Sequence, residues 1–127
     1  MNTILLDKVN WDLVVNAAGN IATAFDSAPV STAAQKTVYA LAQDAASAIR
    51  LFQSELWFDT TQGIPYFDQI LGKKPSVPLM KAYFVRAAKT VPGIVSAVCY
   101  IEAIANRVVT GQVQVFDANG NTATAAF

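Results

Sequence analysis

The chain reads as a single α+β domain spanning residues 1–127: an N-terminal β-hairpin, a long helix, an aromatic turn segment, a second helix and C-terminal antiparallel β-strands. Three observations predict this. An alanine-rich stretch from Ala34 to Phe52 repeats apolar residues at steps of three and four, the period of one helix face. A second such stretch, around Met80 to Val91, opens with Ser76 and Pro78 and stops at Pro92-Gly93. From Ile94 onward the pattern changes to strict alternation, and Asn119-Gly120 is the strongest short hairpin signal available.

Each element has its own reasons. In "WDLVVNAAGNIATAFD", the β-branched Val14 and Val15 and the alternating "IATAF" flank a turn cluster, "NAAGN", which predicts the hairpin. "SAPVST" breaks the pattern, and Thr32 with Gln35 three positions on fits a capping box for the long helix. Ala34, Val38, Leu41, Ala45, Ala48, Ile49 and Phe52 then share one side, with Lys36, Gln43, Asp44, Ser47 and Arg50 mostly elsewhere. In the second helix Met80, Tyr83, Phe84, Ala87 and Val91 recur at helical spacing, and Lys89 suits the negative end of the dipole. "IVSAVCYIEAI" and "VVTGQVQVFD" are strands joined through a turn at Ala105, Asn106 and Arg107, and "NTATAAF" returns as the last strand.

Composition bounds the function. Hydrophobic residues make up 54% of the chain and charged residues 14%, against about 25% charged in typical soluble domains. The formal net charge is zero, which favours association. The chain therefore reads either as a subunit that leaves little surface to water or as an ordinary alanine-rich domain. With one cysteine, Cys99, and no histidine, an intramolecular disulfide, a Cys-rich zinc site and Ser-His or Cys-His nucleophiles are excluded. The uncharged runs Leu13–Phe25 and Thr90–Ile101 fall short of the roughly 18 apolar residues of a membrane span. Asp7 and Asp12 near the start, with no basic region before an apolar core, do not make a secretory signal, so the expected compartment is the cytoplasm in which the protein is made. Lys73 and Lys74 form an isolated basic pair, not the stripe that nucleic acid needs. They read as a solvated loop or as a contact for an acidic neighbour. No cofactor or metal is expected, and no nucleic acid or membrane partner.

The stretch "AIRLFQSELWFDTTQGIPYFDQILGKK" crowds aromatic bulk into a segment with almost no periodicity. Its Ala48, Ile49, Arg50, Leu51, Phe52, Glu55, Trp57, Phe58, Asp59 and Thr60, followed by Gly63, Ile64, Pro65, Tyr66, Phe67, Ile70, Leu71 and Gly72, resemble the signature of small phage baseplate proteins from contractile tails, the wedge subunits of the sheath-initiator type. "AAKTVPGIVSAV" and "TGQVQVFDANGNTATAAF" are similar to that family's ending, so the resemblance covers about residues 35 to 127 well and the N-terminal hairpin loosely. It implies a structural protein of the virion, present in six copies around the tail tube and assembled in the host cytoplasm. Such a subunit joins the baseplate wedge to the first ring of sheath subunits, with tail tube proteins as further neighbours. Where the best-known branch carries Glu-Pro-Arg, this chain has Thr90, Val91, Pro92 and Gly93, so contacts attributed to that Glu and Arg do not transfer.

Partner-binding candidates follow from the residues. Trp57 and Tyr66 either plug the core or turn their polar atoms to a partner. Asn121, Thr122, Ala123, Thr124, Ala125, Ala126 and Phe127 form a strand with neither charge nor proline, which offers backbone groups for strand addition unless it is interior or covered. No catalytic residue is expected. The alternatives are a cell-wall-degrading, lysozyme-like baseplate enzyme using Glu55, Asp59 and Asp68, against which Glu55 and Asp59 read as satisfying backbone amides or pairing with Arg50, and an adaptor domain outside any virus.

Overall fold

The computed structural model describes residues 3–7, 10–24, 33–106 and 108–127. The elements in order are α1 (Ala33–Arg50), a π-helical turn (Tyr66–Ile70), α2 (Val77–Ala88), β1 (Ser96–Ala105), β2 (Val108–Phe116) and β3 (Thr122–Ala126). The α+β class and the order of elements agree with the sequence. The capping box of Thr32 and Gln35, the "SAPVST" break, the side chains of Ala34 and Lys36, and Arg107 in its turn lie outside the described residues.

The three strands form one antiparallel sheet in the order β1-β2-β3. Alternation puts Ala97, Cys99, Val113, Val115 and Phe127 on the face that is buried, while Val98 and Tyr100 face outward and are exposed. Both helices cover the buried face, α1 against β2 and β3 and α2 against β1. Their contribution is Val38, Leu41, Ala42, Ala45, Ala46 and Ile49 from α1, with Met80, Phe84, Ala87 and Ala88 from α2.

Helix α1 is more deeply set than a one-sided stripe predicts. From Val38 to Ala46 every residue except Asp44 is buried, because Tyr39, Ala40 and Gln43 face a second layer formed by the N-terminal segment. Ala40, Ala42, Ala45 and Ala46 have no exposed surface, so the alanines are what lets layers approach this helix on opposite sides. Gln43, expected on the polar side, is instead buried. Its Oε1 accepts from Leu6 N–H at 3.1 Å and its Nε2 donates to Ile4 C=O at 2.5 Å, so the side chain pairs with the segment as a neighbouring strand would.

The expected N-terminal hairpin turns where predicted: Asn16 Oδ1 accepts the amides of Ala18 and Asn20, and Val15 bridges Ile21. No regular ladder follows. Isolated bridges also join Ile4 to Thr23 and Leu6 to Leu13, so three segments close on one another. Leu5 N–H donates to Ala22 C=O at 2.9 Å, Ala22 N–H to Val14 C=O at 2.8 Å, and Val14 N–H back to Leu5 C=O at 3.4 Å. The result is a triangle of backbone bonds in place of a ladder.

Helix α2 begins as read. Ser76 is extended, its hydroxyl accepts Leu79 N–H at 3.4 Å, and Pro78 occupies the first turn, where no amide is needed. At the other end of the chain, β3 pairs only with Gln112–Phe116. Past Gly111 the first two strands continue alone. Their register shifts between Ile101 and Ala103, a bulge at Glu102, and the remainder projects as a two-stranded arm with Ile104 and Val108 exposed.

Candidate functional site

Strand β3 is an edge of the sheet, and the phase of its hydrogen bonds decides what it offers. Gly111 and Phe127 exchange both backbone bonds, at 3.0 and 3.4 Å, and Asp117 N–H donates to Asn121 C=O at 3.1 Å. Alternation then directs the backbone groups of Ala123 and Ala125 toward β2 as well, and those of Thr122, Thr124 and Ala126 away from it. Among the described residues no backbone group meets them there. No lysine, proline or bulge blunts this edge.

The proposed set of partner-binding residues therefore divides. Thr122, Thr124 and Ala126 are exposed and open-edged. Ala123 and Ala125 are half-buried against the core. Asn121 belongs to the turn: its side chain donates to Asp117 Oδ2 at 2.9 Å and its amide to Asp117 Oδ1 at 2.8 Å. These bonds and those from Asn119 and Gly120 hold the Asp117 carboxyl below its usual range, the Asn121 side chain contributing most. Phe127 is a core residue, 9% exposed, with its ring against Phe84, because a bulky ring at the end of an inward-facing register falls on the buried face.

The aromatic segment divides in the same way. Leu51 and Ile64 bring the ends of the loop together, with Ile64 N–H on Leu51 C=O and Gln53 N–H on Ile64 C=O, both at 2.9 Å. Gly63 makes this possible: its φ is +98°, and a Cβ there would lie 2.6 Å from the carbonyl of Phe52. Pro65 follows with φ −75° and ψ 63°, and Tyr66 N–H reaches Ile64 C=O at 2.7 Å, an inverse γ-turn that redirects the chain into the π-helical turn. Tyr66 thereby enters the core. Its hydroxyl donates to Ile49 C=O at the end of α1, and its ring stacks on Phe52 at 4.7 Å. Burial pushes its pKa up to about 12, against the opposing pull of the Arg50 charge. Tyr66 is thus a strut, half-buried against the core. Trp57 is the reverse, 89% exposed and edge-on to the exposed Phe58 at 5.7 Å. Phe67 and Leu71 are also exposed, apolar surface that composition alone pointed to only in general terms.

Two carboxylates of the segment, Glu55 and Asp59, serve the loop. Glu55 Oε2 accepts Phe52 N–H at 3.0 Å. Asp59 Oδ1 accepts both the amide and the hydroxyl of Thr61, and Oδ2 accepts from Gln62 Nε2 at 2.8 Å. Arg50 lies over the Trp11 ring, 3.9 Å from its centroid. Among the described residues no cluster of acidic residues or cysteine is suited to a metal ion, and no helix is long and apolar enough to cross a membrane. Lys73 and Lys74 are exposed. Cys99 is buried, and burial raises its pKa to about 11 although Lys81 pulls the other way.

No known protein family and no curated protein sequence matches the chain. The geometry thus carries the functional reading together with the resemblance in the aromatic segment. What sequence reasoning missed is Gln43 and the N-terminal layer it holds. A signal existed, since Tyr39 and Gln43 are one helical turn apart on the side away from Val38 and Leu41.

Proposed function

We propose that the chain is a structural subunit of a contractile phage tail baseplate, of the sheath-initiator type, which links the wedge core to the first sheath ring and nucleates sheath assembly. The observation that supports this most directly is the unblunted outer edge of β3, whose Thr122, Thr124 and Ala126 present backbone donors and acceptors in the spacing that an added strand requires. Sheath strands or termini pair there, and the aromatic surface of Trp57, Phe58 and Phe67 meets the wedge proteins. In this reading the protein has no catalytic role. It acts as a rigid joint of contractile injection systems, located in the virion after assembly in the host cytoplasm.

Removal of the last strand is a poor test, because Phe127 is part of the core. Thr124→Pro is a cleaner one. Its amide points away from β2, and proline is tolerated on an edge strand when the lost N–H faced outward. Purified Thr124→Pro protein should keep its fold and support no sheath polymerisation on baseplates. Normal tails carrying this variant would end the proposal, and so would a cryo-EM map of the tail end that lacks the chain.

A further inference from the structure

The outer edge of β3 does not face open solvent along its whole length. A cleft of about 200 Å³ lies beside it, with Thr124 and Ala126 on one wall, Leu6, Asp7 and Trp11 on the other, and Gln43 of α1 between. The second wall belongs to the module formed by residues 3–7 and 10–24. That space is smaller than the roughly 300–1,000 Å³ of a pocket for a drug-sized ligand, and a pairing strand of several residues is no smaller than such a ligand. A strand can therefore reach Thr122, Thr124 and Ala126 together only if the module moves.

The module is attached in a way that permits this. Its backbone bonds form a closed triangle among its own segments, so it keeps its internal pairing when it moves. Its apolar contacts are mostly with a small cluster of its own, although Trp11 also packs against the main core and Ala123 touches both. The buried members of that cluster are Leu5, Ala22, Ala24, Tyr39 and Ala40, and three of the five are alanines that bury little area. The polar attachments include Gln43, which spans Ile4 and Leu6, a side-chain hydrogen bond between Thr3 and Asp44, and the Arg50–Trp11 stack at the far end of the helix.

We infer that residues 3–7 and 10–24 form a displaceable guard over the outer edge of β3, latched by Gln43, so that strand addition requires the guard to swing off α1. The inference rests on the edge-strand reading above but not on who the partner is. A chain carrying its own guard stays unpaired while it is free, and commits to pairing when a partner displaces the module. This addresses the aggregation hazard that an unblunted edge otherwise poses.

Hydrogen exchange on the intact wild-type chain tests the first half. The amides of Leu5, Val14 and Ala22 should exchange at least about tenfold faster than those of Val113 and Val115, through an opening that leaves the sheet protected. Light scattering over a concentration series tests the second half, with the chain's own β3 as the probe strand. Gln43→Leu should speed exchange in the module, leave Val113 and Val115 unchanged, and strengthen self-association about tenfold or more over wild type. Thr124→Pro added to Gln43→Leu should abolish that gain. The inference is overturned if the module exchanges together with the sheet in the wild type, or if Gln43→Leu leaves the module's exchange unchanged. It is equally overturned if the loosened variant associates no more than wild type, or associates in a way Thr124→Pro does not affect. Sheath assembly enters none of these readings, so loss of the baseplate proposal and loss of the guard are separate outcomes.

Discussion

Phe127 meets Phe84 edge to face, with ring centroids 5.1 Å apart and planes at 71°. The contact ties β3 to α2 across the core, although α2 itself packs mainly against β1 and α1. Phe127→Ala should therefore cost about 3–5 kcal/mol in a denaturant titration. A loss below about 1 kcal/mol would place the ring outside the core.

Trp57 and Tyr66 separate surface from strut in one experiment. Trp57→Ala should leave stability within about 0.5 kcal/mol of wild type, as exposed positions do. Tyr66→Phe removes the side-chain donor to Ile49 C=O and should cost about 1–3 kcal/mol. Thermal unfolding of the two variants side by side checks both values.

Gly63→Ala forces a Cβ to within 2.6 Å of the Phe52 carbonyl at a φ of +98°. The atoms it meets are those of the Phe52–Gln53 peptide, which cannot rotate away as a side chain would, so the expected loss is at least about 2 kcal/mol. It should appear as faster amide exchange at Gln53 and Ile64 before it appears in the sheet.

The Asp117 carboxyl is held below its ordinary value by Asn121 first, then by the turn amides. A folded pKa below the unfolded one stabilises the turn at pH values above the unfolded value of about 3.9, and the effect is lost as pH falls through the folded value. Amide shifts of Asn119 and Asn121 followed in acid should titrate with a midpoint below about 3.9. A midpoint above it would mean the turn bonds do not favour the charged carboxylate.

Cys99 is buried with its pKa raised to about 11. Only the thiolate reacts with alkylating agents, so at pH 8 iodoacetamide should label the native chain at least about a hundredfold more slowly than the denatured chain. Equal rates would show that the β1 strand opens readily.

Local chemistry was legible wherever the cause sits within a few residues. Ser76 and Pro78 start α2, and Asn119-Gly120 turns the chain between β2 and β3. The missed features have distant causes. Gln43 is buried because Ile4 and Leu6 pair with it across 39 and 37 residues; its spacing from Tyr39 marks a helix face but not the segment that covers it. Trp57 and Tyr66 look alike as aromatic bulk, yet the γ-turn at Pro65 sends one inward while the loop carries the other out. The last strand was legible as uncharged and unblunted, but whether its residues faced a partner depended on the phase of its pairing with β2, which the Gly111–Phe127 pair sets. That phase reduces seven candidate residues to three with an open backbone.

The two-stranded arm beyond Gly111 has a mechanical consequence. Residues 108–110 of β2 and 102–105 of β1, roughly 10 Å at strand rise, extend past the sheet from a root where the register already slips at Glu102. A Cβ on Gly111 would lie 2.9 Å from Phe127 Cζ and 2.1 Å from the Tyr100 carbonyl oxygen, so the root has no slack toward the helices. The Phe127 ring and the β1 backbone fill the root of the arm, so only glycine fits where the arm leaves the sheet.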